Sequence, residues 1–181
     1  MIIGKKVIHY QTIDSTNEEA RRLIGQGAGE GIVLVAEKQT KGKGKPGSAW
    51  FSPEGNLYFS AVVKPRRNPK ELSPITLLGA LAARSAINKI ARLAVVIKWP
   101  NDILINGKKA GGVLVERVPS GHLIIGIGIN LNSDKESFPG EIKDISTSLK
   151  VETGKHYDIE SFAKSLIFEL DLEYLAYLSK V

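Results

Sequence analysis

No cysteine occurs anywhere in the chain, which excludes a disulfide framework and any mechanism running through a protein thiolate. The only histidines, His9, His122 and His156, are scattered and make no metal-ligand spacing, so a zinc centre is not expected. Apolar runs stay well short of the ~18 residues of a membrane span. The start, Met1-Ile2-Ile3-Gly4-Lys5-Lys6, lacks the order of a signal peptide, so a cytoplasmic setting is the expectation. Internal repeats and low-complexity tracts are missing too. What is present is ordinary for a globular protein: 43% hydrophobic and 24% charged residues in 181, enough to bury a core without staples and expected to be one domain, 1–181. A net charge of +6 is compatible with a nucleic acid or an acidic protein partner. The cations do not line a recognition helix, however. Lys38, Lys41, Lys43 and Lys45 crowd one loop, which suits a compact anion better than a polymer.

That loop lies between two apolar, β-rich runs, Ile32 to Lys38 and Leu57 to Lys64. Gly42, Gly44 and Gly47 alternate with Lys41, Lys43 and Lys45. Glycine lets amide groups approach a ligand closely, and lysine supplies point charge for phosphate or carboxylate oxygens. The same composition also suits a solvated connection. As an anion loop it is expected to order on its ligand, because its charges repel and glycine is costly to fix. It is not a P-loop: Ser48 and Ala49 stand where the lysine and the metal-binding hydroxyl should be.

Along the chain, Val7 to Tyr10 reads as a strand. Asp14-Ser15-Thr16-Asn17 then opens a helix, Asn17 to about Ile24, with Ser15 and Thr16 in capping-box spacing to Glu18 and Glu19. Ser73-Pro74 has the form of an N-cap and first turn. Leu77, Leu78, Leu81, Ala82, Ala86 and Ile90 follow at helical spacing and read as core. Val95 to Lys98 and Ile103 to Ile105 are strands flanking Lys98-Trp99-Pro100-Asn101-Asp102. Asn106-Gly107 is a hairpin signal returning through Lys108 to Glu116, and Pro119-Ser120-Gly121 turns into His122 to Asn130. Gly-x-Gly at 126 and 128 is followed by Leu131, which is not a dinucleotide fingerprint. The glycine pairs in these two strands suggest a ligand lying flat against the sheet. From Leu131 to Tyr157 the chain reads as loop, with a short element near Ser146 to Glu152. Asp158 caps a last helix with Phe162, Leu166, Leu170 and Tyr174 four apart. Hairpins with separated helices predict an α+β fold.

In order, these motifs resemble the catalytic domain of the biotin protein ligases, or biotin–[acetyl-CoA-carboxylase] ligases. The likeness is carried by Asp14-Ser15-Thr16-Asn17, Gln39 with the glycine loop and Trp50, Asn56-Leu57-Tyr58, Lys98 to Asp102, Lys109-x-x-Gly112-Val113-Leu114-x-Glu116, and Gly126-x-Gly128-Ile129-Asn130. The resemblance implies a mixed, largely antiparallel sheet packed with helices, of the biotin/lipoate ligase-like, class II synthetase-like type. It implies that biotin and ATP, with Mg²⁺, give biotinyl-5′-AMP, and that a lysine of a biotin carboxyl carrier domain then takes the biotin. No redox cofactor, DNA or membrane enters that chemistry, and a homodimer is left open.

By the same resemblance, Ser15, Thr16, Asn17 and Gln39 would bind the ureido end of biotin. Lys43, Gly44 and Lys45 would wrap its carboxylate and the α-phosphate. Lys109 would bridge the two anions, with Lys45 the second catalytic cation. Tyr58, Gly112 and Trp50 would wall the pocket, and Trp50 and both loop lysines would also face the nucleotide. Asn101 and Asp102 would hold phosphate or metal, Asp102 being the Mg²⁺ ligand, and Asn130 would approach the ribose or phosphate. Three departures matter. The family loop is usually arginine-rich, whereas this one reads Gly42-Lys43-Gly44-Lys45-Pro46-Gly47. No helix-turn-helix precedes the first strand, and nothing follows Val181 where many relatives carry a small barrel, so weak ATP binding is expected. A lipoate or octanoate ligase is the first alternative, although its Arg-Arg-x-x-Gly-Gly-Gly pattern is missing. A non-catalytic biotin-adenylate or nucleic-acid binding module is the second.

Overall fold

The computed structural model describes residues 1–45, 47–66 and 69–180. Pro46 of the glycine loop and Val181 lie outside them. Seven strands form one sheet in the order β1-β2-β3-β7-β6-β5-β4. β1 (Lys6–Ile13) and β2 (Ile32–Gln39) are parallel, and α1 (Thr16–Gly25) makes the crossover between them. The remaining neighbours are antiparallel: β3 (Leu57–Val63) on β2, then β7 (Leu123–Ile129), β6 (Lys108–Arg117), β5 (Asp102–Ile105) and β4 (Val96–Lys98). The fold is therefore α+β, with a mixed and mostly antiparallel sheet. Asn106 and Gly107 both take positive φ, 49° and 77°, the mirror-image turn that a two-residue hairpin requires.

Strand alternation sorts the chain into two layers. Val33, Val35, Phe59, Ala61, Val113, Ile125 and Ile127 point to one face. There α2 (Ser73–Ala91) and α5 (Ile159–Leu178) cover them with Ile75, Ala83, Ile87, Phe162, Leu166 and Leu170. Fully burying one such Ile, Leu or Phe side chain is worth roughly 1.5–3 kcal/mol. On the other face Leu34, Val62 and Ile124 meet Ala20 and Ile24 of α1. That second layer is short, and beyond the end of α1 the sheet is left open.

Caps differ from the sequence expectation. The N-cap of α2 is Leu72, and Ser73 and Pro74 lie inside the first turn with no side-chain cap bond. Proline fits there because the first amides of a helix have no partner anyway. Asp158 does cap α5, accepting from the Ser161 amide at 2.8 Å. The 131–157 segment is more structured than composition suggests: a 3₁₀ turn (Lys135–Ser137), α3 (Gly140–Lys143) and α4 (Leu149–Thr153) follow in turn. Ser148 caps α4 through Val151 at 3.0 Å. Among the described residues no helix is long and apolar enough to cross a membrane.

Candidate active site

The open part of the sheet is floored by glycine. Register aligns Gly112 with Gly128 and Gly128 with Tyr58, and the next row aligns Leu114, Gly126 and Ser60. Gly112, Gly126 and Gly128 share the face that α1 leaves uncovered, so three missing side chains open a cleft of about 420 Å³. Part of the space against these glycines belongs to the protein itself. The Trp50 indole lies on Gly112 and Gly128, and a Cβ on Gly128 would meet its Nε1 at 2.7 Å. The Asn17 amide lies on Gly126, where a Cβ would meet Oδ1 at 2.4 Å. Gly112, Gly126 and Gly128 line the cleft, and the protein atoms nearest to them are those of Trp50 and Asn17. Trp50 Nε1 is the one buried side-chain polar atom without a partner among the described residues.

One end of the cleft is a polar cluster at the start of α1. Ser15 holds the N-cap position, but its side chain makes no cap bond, so the predicted capping box is not formed. A residue from β2 caps the helix instead: Gln39 Oε1 accepts the Thr16 amide at 2.8 Å. Glu18, the expected box partner, pairs with Lys43 of the glycine loop. Ser60 Oγ bridges Thr16 Oγ1 at 2.7 Å and Asn17 Oδ1 at 2.6 Å. Asn17 Nδ2 donates to Glu116 at 2.7 Å, and Arg21 donates to the same carboxylate at 3.0 Å.

Asp14 anchors this end. Its carbonyl accepts from Lys41, and its carboxylate takes both Arg22 Nη atoms at 2.9 and 2.8 Å. Those bonds from Arg22 hold the Asp14 carboxyl down to about 2. Because that value lies below the ordinary 3.8, the pair favours the folded state above the ordinary range and ceases to as pH falls through about 2. Arg22→Ala is expected to return the Asp14 midpoint toward 3.8 in a carboxyl-carbon NMR titration. A midpoint that stays near 2 would contradict this assignment.

The other end is cationic. The glycine loop closes on itself: Trp50 donates its amide to Gly42 and Gly44 to Ser48, each at 3.0 Å, and Ser48 to Lys45 at 2.9 Å. It has more internal structure than its composition suggests. Lys45 is exposed on it, and Lys43 reaches Glu18. Lys109 sits on β6 with both backbone groups fixed, its amide donating to Ile145 at 2.8 Å and its carbonyl accepting from Thr147 at 2.9 Å. Its ammonium contacts Asp102 Oδ1 at 2.8 Å and stands 5.2 Å from the Trp50 ring centroid. By spacing alone Lys109 would be an exposed hairpin lysine like Lys108, and these contacts set it apart.

Asn101 steadies the arrangement by donating to the same Asp102 oxygen at 3.0 Å. Asn130 lines the cleft, with one Nδ2 proton given to the Thr147 carbonyl at 2.9 Å, which leaves Oδ1 and the second N–H for a ligand. Tyr58 contributes its ring: burial pushes its phenol up, and the hydroxyl donates to the Pro53 carbonyl at 2.8 Å. Among the described residues no three His, Asp or Glu side chains cluster for a metal. Asp102 is paired with Lys109 rather than free. This donor set fits Mg²⁺ only as a companion of nucleotide phosphates, the usual way that ion is held.

The residues given a binding or catalytic role from sequence line one cleft. Ser15, Thr16, Asn17 and Gln39 stand around the start of α1, Asp102 and Lys109 on β5 and β6, and Lys43 and Lys45 on the glycine loop, with Lys43 held by Glu18 of α1. Ser60 and the 145–147 segment were missed. A serine inside the otherwise apolar run Leu57 to Val63 was the available signal for the first.

A glycine-lined cleft on an α+β sheet brings neutral polar groups of α1 and β2 together with the lysines of the glycine loop and β6, a donor set suited to anions. The profile of the biotin/lipoate A/B protein ligase family matches residues 9–130. The bifunctional ligase/repressor BirA of Bacillus spizizenii is 38% identical over 98% of this chain and 56% of its own length. The biotin–[acetyl-CoA-carboxylase] ligase of Paracoccus denitrificans is 36% identical over 82% of this chain and 65% of its own. The solved structure of the Aquifex aeolicus biotin protein ligase with biotin and ATP superimposes with a TM-score of 0.87, at 36% identity, over 97% of this chain and 73% of that one. The chain belongs to the biotin/lipoate A/B protein ligase family. It spans just over half the length of the BirA relative.

Proposed function

We propose that residues 1–181 are the catalytic unit of an ATP-dependent biotin protein ligase. Biotin's carboxylate attacks the α-phosphorus of ATP, pyrophosphate leaves, and the biotinyl-5′-AMP so formed is opened by the ε-amine of a lysine on a carrier domain. The observation carrying this reading is the division of the cleft. Along β6, Lys109 lies five positions before the row of Leu114, Gly126 and Ser60, with a bulge at Ala110 between them, on the order of 13 Å of strand from backbone to backbone. That spacing suits an elongated acid with a polar head.

No protein nucleophile takes part. The chain positions two anions and offsets their repulsion. Lys109 stands where the carboxylate and α-phosphate would meet, and Lys43 and Lys45 close over them. Asp102 and Asn101 orient Lys109 and face the phosphate side. Trp50 offers a flat apolar wall to the adenylate. Mg²⁺, carried on ATP, would neutralise the leaving pyrophosphate, Asp102 being its nearest carboxylate. The ATP requirement goes with a cytoplasmic setting. The homologous lipoate and octanoate reaction needs the same cations but has no use for hydrogen-bonding groups at the far end.

Isotope exchange between pyrophosphate and ATP tests the first half-reaction. It is expected to depend on biotin and not to occur with lipoate or octanoate. Exchange driven equally by lipoate would move the chain to the other branch of the family.

A further inference from the structure

At the polar end of the cleft, where the biotin reading places the ureido ring, the hydrogen bonds run in one direction and a carboxylate starts them. An ionised carboxylate only accepts, so Asn17 must turn Nδ2 toward Glu116 Oε2, 2.7 Å away. Arg21 holds the second carboxylate oxygen at 3.0 Å. Asn17 therefore presents Oδ1 to Ser60 Oγ at 2.6 Å, and the single Ser60 proton goes there. Ser60 Oγ is left to accept the Thr16 hydroxyl proton across 2.7 Å. Thr16 Oγ1 also lies 3.2 Å from Gln39 Oε1, but that oxygen already takes the Thr16 amide, and the Ser60 contact is shorter. Ser60, Thr16 and Asn17 are 0%, 3% and 5% exposed, so water has little access with which to reset the order.

The result at the cleft wall is a Thr16 oxygen that can only accept from a ligand. Beside it Ser15, 2% exposed and with no cap bond, keeps a hydroxyl proton to donate. An acceptor next to a donor complements the N–H and C=O of a cyclic urea. An acid without an N–H leaves the Thr16 acceptor buried and unpaired, the kind of mismatch a hydrogen-bonding site rejects strongly. We propose, resting on that biotin reading, that Glu116 is a positioning residue that selects an N–H-bearing acid by fixing the proton order of the Asn17–Ser60–Thr16 chain. It touches no substrate itself.

The test compares biotin with the cyclic carbamate analogue in which one ring N–H is replaced by oxygen, titrated calorimetrically into the folded chain. The wild type should prefer biotin by about tenfold, the worth of one well-made hydrogen bond. Glu116→Gln offers Asn17 either an oxygen or a nitrogen and should shrink that ratio to about twofold or less. Ser60→Ala, which cuts the chain one link further on, should do the same with Glu116 intact. Looser packing alone would weaken both ligands alike and leave the ratio at its wild-type value, which would overturn the proposal. A wild type that binds neither acid overturns the biotin reading on which it rests.

Discussion

Lys109→Ala is expected to lower biotin adenylation by about two to three orders of magnitude, the usual cost of removing one preorganised charge partner of a developing anion. Biotin binding should fall only severalfold, because the groups at the polar end are untouched. The basis is local. Both backbone bonds of Lys109 are made by the 145–147 segment, and its ammonium is aimed by Asp102 at 2.8 Å. The side chain thus arrives already oriented. The effect should appear in kcat for biotinyl-AMP formation, measured in single turnover, rather than in biotin affinity. Near-normal adenylate formation by the variant would remove Lys109 from the role given to it.

Gly126→Ala should have a comparably large effect by a different route, on binding rather than on chemistry. The added Cβ would come within 2.4 Å of Asn17 Oδ1, so the amide must leave the position in which it joins Ser60 and Glu116. Overpacking of this kind costs about 1–3 kcal/mol of stability. Biotin affinity should fall roughly a hundredfold as two or more hydrogen bonds at the polar end are lost together. Calorimetric titration of biotin, alongside thermal unfolding, separates the two losses. Unchanged biotin affinity would show that Asn17 is not part of the binding surface.

Much of this was readable in the sequence, for reasons particular elements make clear. Asn106-Gly107 specified its hairpin because positive φ at two successive residues suits few other pairs. The stripe Leu77, Leu78, Leu81, Ala82, Ala86 and Ile90 specified a helix by its period but only part of its buried face. Ala82 and Ala86 are buried, whereas Leu77 and Leu81 are half-buried and Ile90 is exposed, the core side being carried by Ile75, Ala83 and Ile87. The caps were harder. Ser15 and Ser73 have the right chemistry at the right place, yet the α1 amide is taken by Gln39, 23 residues away, which no local rule can find. The glycine pairs were recognised as a flat surface, but which side chain lies on it depends on where the β2–β3 loop folds back. The 131–157 segment read as loop because its elements are short, and it proved to fix the backbone of the principal lysine. Glu116 was visible as a motif position, and only the contacts of α1 connect it to the cleft.

The most direct test of the central claim is the mass of a purified biotin carrier domain after incubation with the chain, biotin, ATP and Mg²⁺. The account predicts a gain of one biotin less water, confined to a single lysine, requiring ATP and absent when lipoate replaces biotin. A carrier whose mass does not change while the chain is folded and binds biotin, or one that gains lipoate equally well, would contradict it.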